Sequence, residues 1–188
     1  ETSHLQYNDE NSLSCTVSLA FYFAREYYAI VRELPSGKGF TDICKEYQIP
    51  HELILTDTGH SYEETSQILK NLIDDIDIRY TGKTKGIFLP NDTFANIVLH
   101  HLIRRYGKLP DDYKLIGFDD SPVSREAIVP ISTVGQQIDK IAAAAMEILN
   151  VQIKESHKRK PALSSEPVHQ IIPPVLIHRE TTLPVKTP

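Results

Sequence analysis

Gly86-Ile-Phe-Leu-Pro-Asn-Asp-Thr-Phe-Ala-Asn-Ile-Val-Leu-His-His-Leu-Ile-Arg-Arg-Tyr-Gly107 and its continuation Lys108-Leu-Pro-Asp-Asp-Tyr-Lys-Leu-Ile-Gly-Phe-Asp-Asp120 decide the fold. Gly86 to Leu89 is a short apolar run of strand type. Asn91 and Asp92 then offer two helix caps. Phe94, Ile97, Val98, Leu102 and Ile103 keep helical spacing from Thr93 to Tyr106, and Gly107 closes the helix. Tyr113 to Phe118 is again strand-like and runs into Asp119-Asp120. A buried strand, a helix and a second buried strand in such short order make a parallel β-α-β unit.

The rest of the chain extends the same alternation. The spacing of Leu13, Val17, Leu19, Ala20 and Phe23 predicts a helix over Ser12 to Glu26, and Tyr28 to Val31 reads as a short strand. Gly37 and Gly39 predict a turn before a helix over Phe40 to Tyr47. His51 to Asp57 reads as a strand around Leu53-Ile54-Leu55. Ser61 with Glu64 forms a capping-box pattern, opening a helix that carries Ile68, Leu69, Leu72 and Ile73. Thr133-Val134 is a short extended link. Gln136 to Lys154 is the longest helix, with Ile138, Ile141, Ala142, Ala145, Ile148, Leu149 and Ile153 along one face. Glu155 to Pro167 reads as an exposed loop, and His169 to Thr182, broken by Pro173-Pro174, suits an edge or crossing strand. The expected architecture is α/β, an open parallel sheet with helices on both faces.

Composition limits what such a fold can do. In 188 residues, 20 Lys and Arg stand against 25 Asp and Glu, a formal charge of -5, which gives no basic face for phosphate contacts. No apolar run is long enough to span a membrane. Cys15 and Cys44 fit neither a disulfide framework nor a metal site and read as buried groups of a reduced, cytoplasmic compartment. Gly82-Lys83-Thr84 resembles the end of a phosphate loop, but Asp77 stands where that motif needs glycine and a strand follows, so it reads as a turn. His100-His101 lie on different faces of one helix, which argues against a metal site. No nucleophile elbow, zinc motif or cofactor motif occurs, so the chain does not read as an enzyme and needs no cofactor.

The informative residues follow the strand ends, where open α/β sheets bind ligands. Asn91 can donate and accept hydrogen bonds and Asp119 accepts them, a pairing suited to vicinal sugar hydroxyls. Of Asn91 and Asp92, one is expected to cap the helix and the other to face a ligand. On position alone, Asp119 is equally a turn residue.

Four motifs in order carry a resemblance. Gly86 to Ala95 resembles the Asn-Asp strand-helix signature of the LacI/GalR family of bacterial sugar-responsive repressors. Leu109 to Asp120 is similar to that family's Val-Pro-x-Asp…Gly-Phe/Tyr-Asp-Asp segment, and Pro130-Ile-Ser-Thr-Val-Gly-Gln136 to its Pro-Leu-Thr-Thr-Val-x-Gln crossing. Leu176 to Thr182 resembles its terminal Leu-x-x-Arg-x-Ser/Thr-Thr. The resemblance implies a periplasmic-binding-protein-like lobe of a regulator whose effector is a small sugar or sugar phosphate. It implies a homodimer, with operator DNA read only by a helix-turn-helix headpiece that these 188 residues do not contain. Residues 1–132 and 168–188 would be the C-terminal lobe, and 133–167 a part of the N-terminal lobe. By position in the family pattern, Tyr7 and His60 are candidates for stacking on a sugar face. Ser36 stands where the family carries a hydroxyl-clamping arginine. The long helix would then face a second copy of the chain or segments outside it. A sugar-binding protein that feeds a transporter is the alternative within the same fold.

Overall fold

The computed structural model describes residues 15–22, 35–57, 60–156 and 168–183. Its frame is one six-stranded sheet in the order β2-β1-β3-β4-β5-β6. The strands are β1 (Cys15–Tyr22), β2 (His51–Asp57), β3 (Lys85–Phe88), β4 (Tyr113–Phe118), β5 (Ser132–Gly135) and β6 (Val175–Ile177). β1 to β5 pair in parallel, and β6 closes one edge antiparallel to β5, with Val134 opposite Leu176. The open parallel sheet and the edge role of the segment after Pro173-Pro174 match the sequence reading.

Cys15–Tyr22 corrects it. The predicted helix over Ser12–Glu26 is a strand at 15–22, paired along its length with β2 and over Cys15–Ser18 with β3. Cys15, Val17, Leu19 and Phe21 alternate with Thr16, Ser18, Ala20 and Tyr22, a period of two hidden beneath a weak helical spacing. A position between two strands decides for the strand, because backbone groups there find ladder partners on β2 along its length and on β3 over Cys15–Ser18. The strand expected at Tyr28–Val31 lies outside the described residues.

The helices are α1 (Pro35–Glu46), α2 (Tyr62–Arg79), α3 (Asp92–Tyr106), the short α4 (Pro122–Glu126) and α5 (Ile138–Ser156). α1 starts earlier than expected and contains Gly37 and Gly39, so no turn forms there. Pro35 favours a helix start, its missing N–H and fixed φ costing nothing in the first turn. Ser61 caps α2 as predicted: its Oγ accepts from Glu64 N, and the Glu64 carboxylate accepts from His60 N. Gly107 adopts the left-handed conformation at φ 77° that ends α3. Gly82, at φ 72°, sits in an ordinary turn.

Right-handed crossovers set the faces. The chain moves one way from β1 to β2 and the other way through β3, β4 and β5, which puts α2 and α3 together on one face and α1 on the other. The core lies under α2 and α3, where Leu69, Ile73 and Ile76 meet Ile97, Val98, Leu99 and Leu102 above Ile87, Tyr113 and Leu115. β3 and β4 alternate strictly between buried and half-buried residues, and on the half-buried side Phe40 of α1 stacks on Phe88. The reversal of direction between β1 and β3 is a topological switch point, and it places the ligand end of the sheet beyond Leu89.

Candidate functional site

Three strand ends build the site. β3 runs out through Leu89-Pro90 into Asn91, β4 into Asp119-Asp120-Ser121, and β5 into Gln136-Gln137. Leu89 N–H donates to Ile116 O at 2.8 Å, which holds the β3 exit beside β4. Asn91 is the N-cap of α3, its Oδ1 accepting from Phe94 N–H at 2.9 Å. That bond fixes the amide's acceptor end and leaves its donor end for another partner.

Asp92 is the correction here. It does not face outward as the free member of the pair. It is 1% exposed and spent on internal bonds, accepting from Ser121 N–H at 2.7 Å and Thr133 Oγ1 at 2.6 Å. One carboxylate thereby ties the β3, β4 and β5 exits together. Gly117 makes room for it, since a Cβ there would lie 2.3 Å from Asp92 Oδ1.

Asp119 and Asp120 form an elbow in which both residues take positive φ, 104° and 54°. Such backbone is costly for residues other than glycine, and Asp tolerates it better than most. Asp119 N–H donates to Val134 O at 2.9 Å, and Gln136 Nε2 donates to Asp119 Oδ1 at 2.6 Å. The Asp120 carboxylate meets the Arg179 guanidinium at 2.5 Å, and Asp120 lines the same cavity as Asp119. A cavity of about 280 Å³ opens beside the elbow, lined by Asp119, Gln136, Gln137, Ile138 and Val175 among others.

The remaining candidates are placed as follows. His60 is exposed and immediately precedes the α2 cap, at the carboxyl end of β2. Ser36 lies in the first turn of α1. Tyr7 lies outside the described residues. Asn91 and Asp119 therefore share the ends of adjacent strands, while His60 follows the edge strand β2 in sequence. Sequence reasoning did not single out Gln136 or Arg179 as partners of the Asp119-Asp120 pair, although both stand in quoted motifs.

A larger polar groove of about 750 Å³ runs between α2 and α3, lined by Ser66, Lys70, Asp74, His101 and Arg104 among others. Within it His101 Nε2 bonds Ser66, and burial lowers the His101 pKa against that bond to the Ser66 backbone, with Arg104 and Lys70 adding to the lowering and Asp74 opposing it. At the opposite end of the sheet, burial raises the Tyr113 hydroxyl pKa far above its ordinary value, assisted by its bond to Asp77. Among the described residues no cluster of His, Cys, Asp or Glu is arranged to hold a metal, and no helix is long and apolar enough to cross a membrane.

An open sheet of this strand order, with amide and carboxylate groups gathered past its strand ends, defines a lobe of the periplasmic-binding-protein type. The chain belongs to that family, matching the periplasmic binding protein-like domain over residues 23–182. It is 28% identical over 144 residues to the ribose operon repressor of Bacillus subtilis (strain 168), covering 77% of this chain and 40% of that one. To the HTH-type transcriptional regulator DegA of the same organism it is 27% identical over 151 residues, 80% of this chain and 41% of the relative. The chain thus spans about two fifths of the length of these relatives. Among solved structures, a LacI family transcriptional regulator from Arthrobacter sp. FB24 in complex with lactose superposes with a TM-score of 0.69 at 21% identity, over 90% of this chain and 58% of that one. A LacI family regulator from Enterococcus faecium with bound ribose gives 0.62 at 24%, over 93% and 58%. These relatives are repressors and regulators rather than enzymes, and they favour the regulator over the transporter-feeding alternative.

Proposed function

We propose that this chain is the effector-sensing part of a LacI-type transcriptional regulator that binds a small sugar or sugar phosphate. The observation that carries the reading is the pair Asn91 and Asp119, an amide whose donor end meets no partner among the described residues and a carboxylate lining a cavity, on the ends of adjacent strands. Their combined chemistry suits neighbouring hydroxyls. Tyr7 and His60 would supply a stacking face, and Ser36 a further hydroxyl contact. The division the resemblance implies, 1–132 with 168–188 against 133–167, would set α5 in a second lobe, while β5, which crosses that boundary, stays in the sheet of the first. A sugar bridging the two lobes favours one closure of the cleft. In a cytoplasmic dimer, closure repositions helix-turn-helix headpieces on operator DNA, so sugar and operator affinities are coupled.

Calorimetric titration of the intact protein with ribose, lactose and cellobiose, followed by a wider panel of sugars and sugar phosphates, tests this reading. Binding of one of them, weakened by Asp119→Ala, supports it. Binding that is indifferent to both Asp119→Ala and Asn91→Ala removes this sheet end as the site, and no binding across the panel overturns the sugar reading.

A further inference from the structure

Arg179 stands in the terminal motif, and the proposed function gives it no task. It lies 59 positions from Asp120 in sequence, yet its guanidinium is spent around the elbow. Arg179 Nη2 donates to Asp120 Oδ1 at 2.5 Å, while Nη1 donates to Ile131 O at 2.9 Å and to Ser124 Oγ at 3.1 Å. Its own backbone is fixed in turn: Arg179 N–H donates to Ser132 Oγ at 2.7 Å, and Ser132 Oγ donates to Arg179 O at 3.0 Å. Two residues further on, Thr181 Oγ1 accepts from Ser132 N–H at 2.9 Å and donates to Leu115 O at 2.7 Å. The return segment is therefore bolted to β5 and β4, and the arginine reaches from it to α4, to Ile131 ahead of β5 and to the elbow.

The elbow needs such a hold. Two consecutive aspartates with positive φ relax to ordinary backbone unless their surroundings over-determine them. On the Ser121 side the hold is Asp92, through Ser121 N–H, and Thr133 Oγ1, which accepts from Asp120 N–H at 3.4 Å. On the Asp120 side it is the Arg179 fork, a charge-assisted contact whose partners are 15% and 27% exposed and so poorly screened. Arg125 lies 3.9 Å from the same carboxylate and donates from Nη2 to Asp120 O at 3.0 Å, but at 59% exposed it is a weaker partner.

We infer that Arg179 is a positioning residue for Asp119: by gripping Asp120 it keeps the left-handed elbow that turns the Asp119 carboxylate into the cavity at the strand ends. The ligand-facing part of this role rests on the sugar-sensing reading above; the grip on the elbow does not.

Hydrogen exchange in the intact protein, read on peptides covering Phe118 to Ser124 and, as control, Ile97 to Leu102 of α3, separates positioning from general support. In Arg179→Gln, exchange at Asp119, Asp120 and Ser121 should speed up by about tenfold or more, the effect of losing a charge-assisted bond on a local opening equilibrium, while α3 stays within about twofold. Arg179→Lys, which keeps the charge and loses the fork, should recover part of the protection. Asp120→Asn should reproduce the Gln result, and it decides the matter if Arg179→Gln does not fold. Unchanged exchange at the elbow, or an equal rise in α3, overturns the inference. A wild-type protein that binds no sugar while its elbow responds as described sinks the sugar reading and leaves the grip standing. In a sugar-binding protein, affinity should fall with elbow protection across the three variants.

Discussion

Gly117 and Asp92 show how one residue's absence of a side chain sets another's position. The Asp92 carboxylate crosses the β4 backbone where a Cβ on Gly117 would meet Asp92 Oδ1 at 2.3 Å and Asp92 Cα at 3.2 Å. Neither neighbour can step aside, because Asp92 is buried and held by Ser121 and Thr133. Gly117→Ala should therefore destabilise the fold by about 1–3 kcal/mol, the usual cost of overpacking, measured as a lower urea midpoint. A midpoint unchanged from wild type would mean that the carboxylate moves freely. For ligand binding the residue to test is Asp119. Asp119→Ala should cost about 1–3 kcal/mol in sugar affinity by calorimetry, the loss of one charged hydrogen-bond partner. Sequence alone pointed to Asn91, Asp92 and Asp119 because amides and acids after a strand are recognisable locally. It could not sort their roles, since the partners that occupy Asp92 lie 29 and 41 positions away.

At the scale of elements, legibility followed the range of the deciding forces. β3, α3 and β4 were readable because cap, periodicity and terminal glycine agree within one stretch, and the structure places Asn91 and Gly107 at the two ends of α3. β1 was not readable, because its short segment satisfies two periods and only pairing with β2 and β3 selects between them. The α2 cap was readable for the same local reason as α3. Ser61→Ala should lower stability by about 1 kcal/mol in chemical denaturation, since Glu64 N–H loses its acceptor. α2 and α3 also meet through Ser66 and His101, and this contact carries a pH dependence. Burial holds the folded His101 pKa below its ordinary value, with Lys70 and Asp74 of α2 and Arg104 of its own helix around it. The unfolded chain thus takes up the proton first. The contribution is full above the unfolded value, about 6.5, and is lost as pH falls through it towards the lower folded pKa. Urea midpoints between about pH 7.5 and 5.5 should fall less steeply in His101→Gln than in wild type; equal slopes would show that other groups govern the acid side.

The molecule as a whole has one well-covered face and one element that leaves the body. α2 and α3 bury the core, whereas α5 exposes Ile138, Ile141, Met146, Leu149, Val151 and Ile153, each at least 42% accessible. The sequence showed the part of this surface that lies along one face, Ile138, Ile141, Leu149 and Ile153, and strand order was what it could not show, since β1's place between β2 and β3 depends on contacts between distant segments. An apolar stripe on a helix is stable in water only when something covers it, and in a solution of this chain alone the most abundant apolar surface is the same stripe on another copy. The 188-residue chain should therefore associate through α5 as its concentration rises. Light scattering should show a mass above that of one chain, returning towards it in the double variant Ile141→Glu, Leu149→Glu. The substitutions fall on exposed helix positions, so the urea midpoint of the sheet and its α2–α3 core should be nearly unchanged. A monodisperse wild-type monomer across the concentration range would show that the stripe is covered from within the chain. Association that survives both glutamates would move the contact to another face.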